Sequence, residues 1–353
     1  MAALPDAGFW KHKRVLLTGH TGFKGTWLAV MLEQLGADVT GIARAPETQP
    51  SLWELAKPAM PSHIQDIREQ QALAALVKKA QPQIVIHMAA QPLVRRSYAQ
   101  PVETFDTNIM GTLYLLEALR GVEGVESILV VTSDKVYDNR ETKTAFDENH
   151  PLGGNDPYSA SKAACEMVVK SYAASFFASK GIAVATARAG NVIGGGDWSE
   201  DRLIPDMWRA FEAQRKVSLR HPEAVRPWQH ALDPLLGYVL YAEALAKKTV
   251  LPPALNFGPA PEEILTVREV AERFAHILGV DALWEQGEVD ATRKESAHLS
   301  IDPAMATLEL GWKPRLGPQD ALQWTGEWYL AYHNGEDMAA FTRAQAARYM
   351  EQA

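Results

Sequence analysis

The sequence contains a single cysteine, Cys165, so no disulfide can form within the chain, and this predicts a protein of a reducing compartment. It also lacks an excess of basic residues: 35 Lys and Arg face 43 Asp and Glu, a formal net charge of −8 at pH 7. This balance argues against a broad nucleic-acid-binding surface. No apolar run reaches the roughly 18 residues needed to span a bilayer, and no signal-peptide pattern opens the chain. We therefore expect a soluble, cytoplasmic protein that contacts neither nucleic acid nor membrane.

The 353 residues are enough for about two domains. In the first half, short runs rich in β-branched residues alternate with helical patterns, which predicts an α/β doubly wound parallel sheet of the Rossmann type. Predicted strands span residues 14–18, 37–43, 83–88, 127–132, 182–188 and 254–257, and predicted helices span 26–35, 67–79, 102–119, 157–179 and 235–246.

The alternation stops after Gly190, where glycines, prolines and tryptophans indicate irregular structure. We expect residues 1–189 and a return segment at 231–258 to form a dinucleotide-binding domain. Residues 190–230 and 259–353 would then form a smaller, irregular substrate-binding domain at the C-terminal side.

A glycine-rich turn, Gly19-His-Thr-Gly22-Phe-Lys-Gly25, follows the first predicted strand and opens the first long helix. Glycines allow a tight turn and a close approach of the backbone to a pyrophosphate, and a helix N-terminus offers free N–H groups and a positive dipole end. The turn therefore predicts a dinucleotide site that includes Phe23 and Lys24.

The choice of cofactor stays open between NAD and NADP. NAD enzymes of this fold usually carry a carboxylate at the end of the second strand, whereas this chain has Arg44 there, a residue able to meet the extra phosphate of NADP, to stack on adenine, or to be merely solvated. Asp66 and Ile67 are candidates for adenine contact, although helix capping by Asp66 would explain that residue equally well.

Tyr158 and Lys162 are spaced i, i+4 on a helix that Asp156 and Pro157 are well suited to begin. An ammonium close to a phenol favours the phenolate, so the pair predicts a tyrosine with a lowered pKa that takes a proton from a sugar hydroxyl as hydride leaves. Such pairs are also common on helix surfaces, so the spacing by itself does not identify a catalytic pair.

The glycine turn, Thr132-Ser133 at a strand end and Tyr158-x-x-x-Lys162 occur in the order typical of short-chain dehydrogenases. The chain resembles the extended short-chain dehydrogenase/reductase family that acts on nucleotide sugars, and within it the CDP-glucose 4,6-dehydratases. Five stretches carry this resemblance: Gly19–Gly25, His87–Val94, Thr132–Lys135, Arg188–Trp198 and Arg226–His230.

The resemblance implies that Tyr158 deprotonates the carbon-4 hydroxyl of CDP-glucose while NAD takes the hydride, with Ser133 and Lys162 assisting. Lys135 would then remove the carbon-5 proton, and Asp134 would protonate the departing carbon-6 hydroxyl. This chemistry requires a protonated acid beside a neutral amine, which burial favours for both groups. An ordinary loop ion pair is the alternative for Asp134 and Lys135.

The remaining contacts are also implied by the resemblance. Asn191, Arg202 and Arg226 would face the substrate diphosphate and Gln91 the hexose, while Ala89, Ala90 and Asn108 would border the cofactor. Each has an ordinary alternative: a surface ion pair with Glu200 or Asp201 for Arg202, packing for the alanines, and helix capping for Asn108.

No residues have the spacing of a metal site; His87 and Cys165 are interpreted as core residues.

Two other functions stay open. A 4-epimerase, or a dehydratase of another nucleotide sugar, would share most of the motifs, and a non-catalytic dinucleotide-sensing module would keep the fold alone. The family further implies a homodimer or tetramer built on the 102–119 and 157–179 helices, and a role in deoxysugar synthesis for O-antigen or other surface polysaccharides.

Overall fold

The computed structural model describes residues 3–139, 144–259, 265–287 and 299–351. The strands of these ranges, in chain order, are β1 Arg14–Thr18, β2 Asp38–Ala43, β3 Ser62–Ile64, β4 Ile84–His87, β5 Ser127–Val131, β6 Ala183–Ala189, β7 Val192–Ile193, β8 Val217–Leu219, β9 Val225–Arg226, β10 Gln229–His230, β11 Ala254–Phe257, β12 Leu265–Thr266 and β13 Trp284–Gln286. Seven of them form one parallel sheet in the order β11-β6-β5-β4-β1-β2-β3, which confirms the predicted doubly wound architecture.

Helices cover both faces of this sheet. They are α1 Ala7–Trp10, α2 Phe23–Gln34, α3 Leu52–Ala56, α4 Gln70–Ala80, α5 Val94–Ala99, α6 Pro101–Phe105, α7 Gly111–Leu119, α8 Pro157–Tyr172, α9 Leu203–Glu212, α10 Leu232–Ala246, α11 Val267–Ile277, α12 Ala304–Leu310, α13 Pro318–His333 and α14 Met338–Glu351. Within the described ranges, none is both long and apolar enough to cross a membrane.

Most predicted elements lie where the sequence patterns put them. The strands at 14–18 and 254–257 have the predicted bounds, and the other predicted strands differ by one residue at one end or at both ends. The predicted helix at 102–119 is instead α6, a π-helical turn at Asp106–Met110 and α7, while the one at 157–179 ends its α-helical part at Tyr172. The short edge strand β3 was not predicted, because its three residues are partly or fully exposed and show no apolar pattern.

The return segment is confirmed as part of the sheet, since β11 pairs in parallel with β6. By contrast, the strands between residues 192 and 286, apart from β11, form only two-stranded pairs: β7 with β10, β9 with β12 and β8 with β13. This matches the expected irregularity after Gly190. The division into two domains stays a prediction.

The order of the strands reverses between β1 and β4, both of which are almost entirely buried. At such a reversal the helices leave the sheet toward opposite faces and open a crevice at the carboxyl ends of the strands. The residues of the predicted site follow these strand ends. Two separate apolar cores pack against the sheet, one on each face, so the crevice at the strand ends lies between them.

Candidate active site

The glycine turn is packed so tightly that side chains are excluded at two of its three glycines. Gly19 has a φ of +76°, and a Cβ there would lie 2.7 Å from the amide nitrogen of Ala89. A Cβ on Gly25 would lie 2.0 Å from the carbonyl oxygen of Gly19. Glycine is therefore a steric requirement at both positions.

Gly22 is less tightly packed: the nearest atom to a Cβ there is the Gly19 oxygen, at 3.4 Å. Gly22 is the N-cap of α2, and no side chain caps the helix at this end. This end of α2, with Phe23 and Lys24 in its first turn, follows the glycine turn that packs against Ala89. This uncapped N-terminus fits the pyrophosphate of a dinucleotide.

Arg44 lies directly after β2, and its carbonyl oxygen accepts a hydrogen bond from the Thr21 hydroxyl of the glycine turn (2.8 Å). Its guanidinium forms ion pairs with Glu103 (3.2 Å) and Glu47 (3.5 Å). Arg44 is thus at the predicted place next to the turn, but it is accompanied by two carboxylates that would repel an additional phosphate.

Asp66 does not cap a helix, so that alternative is wrong: α4 begins at Gln70, and its N-cap is Glu69. Asp66 instead binds Arg68 through a 2.6 Å ion pair. Burial raises the pKa of the Asp66 carboxyl, but the hydrogen bonds from Arg68 outweigh burial and lower it overall. Ile67 is buried against Gly111 on α7, which ties this loop to the helix beside the crevice.

Tyr158 and Lys162 both lie on the buried side of α8. The helix begins as predicted, with the Asp156 carboxylate accepting a hydrogen bond from the Ser159 amide (3.0 Å) and Pro157 at the first position. The Lys162 ammonium donates to the carbonyl oxygen of Val131 at the end of β5 (3.1 Å). The pair is therefore brought to the carboxyl edge of the sheet.

The sequence predicts that Lys162 lowers the pKa of Tyr158, and for the protein without bound ligands this prediction is wrong. Burial raises the pKa of Tyr158 to about 12; a hydrogen bond with Ser133 opposes this shift, and the Asp134 carboxylate adds to it. The sequence showed the spacing of the pair but not that the phenol is shielded from water. Removal of a positive charge from solvent also lowers the pKa of Lys162.

Ser133 and Asp134 follow β5 in a 3₁₀ turn at Asp134–Val136. The Ser133 hydroxyl donates to the Asp134 carboxylate (3.0 Å) and accepts from the amide of Lys135 (3.2 Å). Burial raises the pKa of Asp134, although the positive charges of Lys135, Arg226 and Lys24 act in the opposite direction. The structure thus brings the predicted acid next to the hydroxyl and the phenol of the other predicted catalytic residues.

Lys24 is also directed into this group of side chains. Its ammonium donates to the hydroxyl of the fully buried Tyr238 on α10 (3.0 Å). The charges of Lys162, Arg202 and Asp134 all act on it. Lys24 therefore connects the glycine turn to the predicted catalytic side chains, and its partner Tyr238, 214 residues away, has no local signal in the sequence.

Arg202, one of the predicted substrate residues, has an ion-pair partner within the protein. Arg202, the N-cap residue of α9, pairs with Asp197 (3.3 Å), and Asp201 pairs with Arg95 (2.7 Å), so the alternative of a surface pair with Glu200 or Asp201 is wrong. The charge of Arg202 acts on Tyr158 and Lys24, which puts it at the crevice.

Arg226 and Asn191 flank the same crevice. Arg226 ends β9, and its charge acts on Asp134. Asn191 lies between β6 and β7, beside Gly190, where a Cβ would lie 2.9 Å from an Asp134 carboxylate oxygen. The segment from Gly190 onward therefore passes directly over the predicted acid.

Gln91 and Asn108 are bound to each other and to their surroundings. The Gln91 side chain donates to the Thr104 hydroxyl (2.8 Å) and accepts from the Leu93 amide (2.6 Å). Asn108 accepts from the Gln91 amide (2.8 Å) and donates to the Ser161 hydroxyl (2.8 Å). Because Asn108 lies within the π-helical turn, it is not a cap, and these bonds fasten the loop after β4 to α8.

Sequence reasoning missed a buried ion pair next to the predicted catalytic side chains. Glu166, one turn after Lys162 on α8, forms a two-point pair with Arg188 of β6 (both bonds 2.9 Å). Glu166 also accepts from the hydroxyls of Thr132 (2.6 Å) and Thr186 (2.7 Å). The pair fixes α8 against β5 and β6; its only signal in the sequence was the i+4 spacing from Lys162.

His87 and Cys165 are core residues, as predicted. The two ring nitrogens of His87 bind the hydroxyls of Thr18 (2.6 Å) and Thr112 (3.0 Å), and burial lowers its pKa to about 3. Cys165 is buried on α8, and burial raises the pKa of its thiol.

Comparisons with known proteins agree with this geometry. Residues 16–325 match the family model described as GDP-mannose 4,6 dehydratase. The chain is 44% identical to the CDP-glucose 4,6-dehydratase of Salmonella typhimurium over 98% of both chains, and 31% identical to a dTDP-glucose 4,6-dehydratase of Streptomyces antibioticus over 75% of this chain and 74% of the other. A crystal structure of the Streptomyces venezuelae dTDP-glucose 4,6-dehydratase DesIV with NAD bound superposes with a TM-score of 0.77 at 26% identity, covering 92% of this chain and 99% of that one.

Proposed function

The chain belongs to the GDP-mannose 4,6-dehydratase family, within the extended short-chain dehydrogenases, and on that basis we propose that it converts CDP-D-glucose to CDP-4-dehydro-6-deoxy-D-glucose. The reaction removes one molecule of water and leaves the cofactor oxidised, as it began. The near full-length similarity to the Salmonella typhimurium enzyme supports CDP-glucose over other nucleotide sugars.

NAD is the cofactor that the crevice suits. When bound, NAD would supply the acceptor for the hydride of carbon 4 and the source of the hydride that returns to carbon 6. The first turn of α2 would bind its pyrophosphate, and the loop of Asp66 and Ile67 would border its adenine. The carboxylates of Glu47 and Glu103 beside Arg44 disfavour the extra phosphate of NADP.

Oxidation at carbon 4 needs a base for the hydroxyl proton. Tyr158 takes this role, and Ser133 hydrogen-bonds to the same carbon-4 oxygen of the sugar. Because burial raises the pKa of Tyr158 to about 12 in the protein, its ionisation has to be assisted by positive charge that arrives with the ligands. Lys162, held by the Val131 carbonyl, is positioned to bind the ribose.

Elimination of water then follows from the acidity of the carbon-5 proton next to the new ketone. Lys135 removes this proton, and Asp134 protonates the departing carbon-6 hydroxyl. The direction of the Asp134 pKa shift supports the role of an acid, since burial favours the protonated carboxyl. Arg202, Arg226 and Asn191 bind the substrate diphosphate in this proposal.

The burial of Asp134 between Ser133 and Gly190 is the observation that carries the dehydratase function. A 4-epimerase has no need for an acid and a base at this place. The test is incubation with NAD and a panel of nucleotide glucoses, in which we expect CDP-glucose to lose the mass of one water. Epimerised glucose without water loss would favour the epimerase, and no reaction with any sugar nucleotide would favour the sensing module.

The base is tested separately by Lys135→Ala in deuterated water. The variant should oxidise carbon 4 but exchange no deuterium into carbon 5, whereas exchange at the wild-type rate would remove Lys135 from this role. Lys79→Ala, on the exposed side of α4, is the matched control.

We further propose that the chain forms a homodimer, or a tetramer built from such dimers, in the cytoplasm. Apolar side chains on α6 and α8 support a helix-to-helix interface: Val102 is 80% exposed and Met167 60% exposed. Burying side chains of this size would contribute about 1.5–3 kcal/mol each. The buried free thiol of Cys165 suits a reducing compartment.

A further inference from the structure

Lys24 occupies an unusual position for a lysine at the start of a helix. It is the second residue of α2, and its side chain turns inward to α10, where the ammonium donates to the Tyr238 hydroxyl (3.0 Å) and lies 5.0 Å from the centre of the Tyr238 ring. Tyr238 is completely buried. The direct partner of the ammonium is therefore a neutral phenol and an aromatic face.

The charged groups facing Lys24 come from three other elements. Lys162 on α8 and Arg202 before α9 repel its positive charge, and Asp134 after β5 attracts it. Tyr238 in turn faces Tyr158 and Asp134. In the described ranges, no carboxylate oxygen lies at ion-pair distance from Lys24, whereas the partly buried ammonium of Lys13 has Glu126 at 3.0 Å.

This setting destabilises the ammonium. Burial is the main cause, with Arg202 and Lys162 adding to it, and together they lower the pKa of Lys24 to about 7 against the opposing effect of Asp134. At neutral pH the amine is consequently divided between its charged and neutral forms.

A bound diphosphate would supply the negative charge that the Lys24 ammonium lacks as a direct partner. Lys24 belongs to the first turn of α2, which has no side-chain cap, so a diphosphate bound at this helix N-terminus would place negative charge close to the ammonium. We propose that Lys24 takes up a proton when a diphosphate group enters the crevice, so that nucleotide binding by this chain is coupled to protonation. The inference rests on the proposed function for the nature of the ligand, and the diphosphate of either NAD or the sugar nucleotide would serve.

The coupling has a definite sign. A ligand that favours the charged amine binds most tightly where Lys24 is already protonated, below pH 7. Its affinity then falls as the pH rises, by up to about tenfold per unit, until the pKa of the liganded state is passed. Between these two values, binding takes up roughly half to one proton per site.

Calorimetric titration of the nucleotide-free protein at pH 8 measures this proton directly. NAD and CDP-glucose are titrated separately, each in two non-phosphate buffers of different ionisation heat, and the slope of binding heat against ionisation heat gives the number of protons taken up. NAD and CDP-glucose are phosphodiesters with no group of their own that titrates near this pH. A slope with NAD alone, CDP-glucose alone, or both supports the proposal and identifies the source of the diphosphate.

Two variants separate Lys24 from other groups. Lys24→Arg keeps a permanent charge and should bind without proton uptake, and Lys24→Met should bind more weakly, also without uptake. Lys79→Met, on the exposed side of α4, should behave as the wild type.

Binding that is independent of buffer in the wild type would overturn the coupling while leaving the proposed function intact. Uptake that persists in Lys24→Arg would assign the proton to another group, such as Asp134, and would also overturn it. Failure of both ligands to bind would overturn the proposed function and this inference together.

Discussion

Asp233 allows a quantitative prediction about the stability of the fold. It lies at the start of α10 and is fully buried; one carboxylate oxygen accepts from the Tyr349 hydroxyl (2.7 Å) and from the Arg315 amide (2.7 Å). Its other carboxylate oxygen is buried without a hydrogen-bond partner in the described structure. Burial raises the pKa of Asp233 from 3.8 to about 7, against the opposing hydrogen bonds from these partners.

A raised pKa means that the folded state favours the protonated carboxyl. The stabilisation that Asp233 gives the folded state in this form is complete below pH 4 and is lost as the pH rises toward 7. From the two pKa values, the loss between pH 5 and pH 8 is roughly 2–3 kcal/mol. Asp233→Asn has the same shape and no titration. It should therefore gain roughly 2–3 kcal/mol of unfolding free energy relative to the wild type between these pH values, whatever constant effect the amide itself has.

Urea unfolding followed by tryptophan fluorescence, at pH 5 and pH 8, measures both proteins. The exposed Asp281→Asn is the control, and its difference from the wild type should be the same at both pH values. If the difference between Asp233→Asn and the wild type changes by less than about 0.5 kcal/mol, the carboxyl is solvated or otherwise compensated, and the reasoning from burial fails.

Three further predictions concern function and assembly. Asp134→Asn should slow water loss about 10²- to 10⁴-fold while oxidation at carbon 4 persists, seen as reduced nicotinamide at 340 nm; water loss at the normal rate would exclude it as the acid. Gly25→Ala puts a Cβ 2.0 Å from a backbone oxygen and should weaken NAD binding at least about tenfold; Gly121→Ala, with no atom within 4 Å of its Cβ, should not. Val102→Asp should convert dimers to monomers in sedimentation, whereas Val250→Asp should not, and a dimeric Val102→Asp would place the interface elsewhere.

Local patterns in the sequence were sufficient for much of the fold and for the local features that define the candidate site. Strand β1 and the return strand β11 could be bounded correctly because apolar patterning and flanking turn residues are local properties. The glycine turn and the beginning of α8 at Asp156 were equally accessible, since the steric and capping requirements involve residues within a few positions of one another. Together they sufficed to indicate a dinucleotide fold with a tyrosine and a lysine at its edge.

The ionisation of these residues was decided by the tertiary structure. Spacing predicted a lowered pKa for Tyr158, but burial raises it, because the free energy of a charge depends on water and on side chains from distant segments. In the same way Lys24 meets Tyr238, and Glu166 meets Arg188, only when the strands order themselves around the crevice. The sequence by itself determined which ionisable side chains the candidate site contains, and the packing of the sheet and helices determined in which direction their pKa values shift.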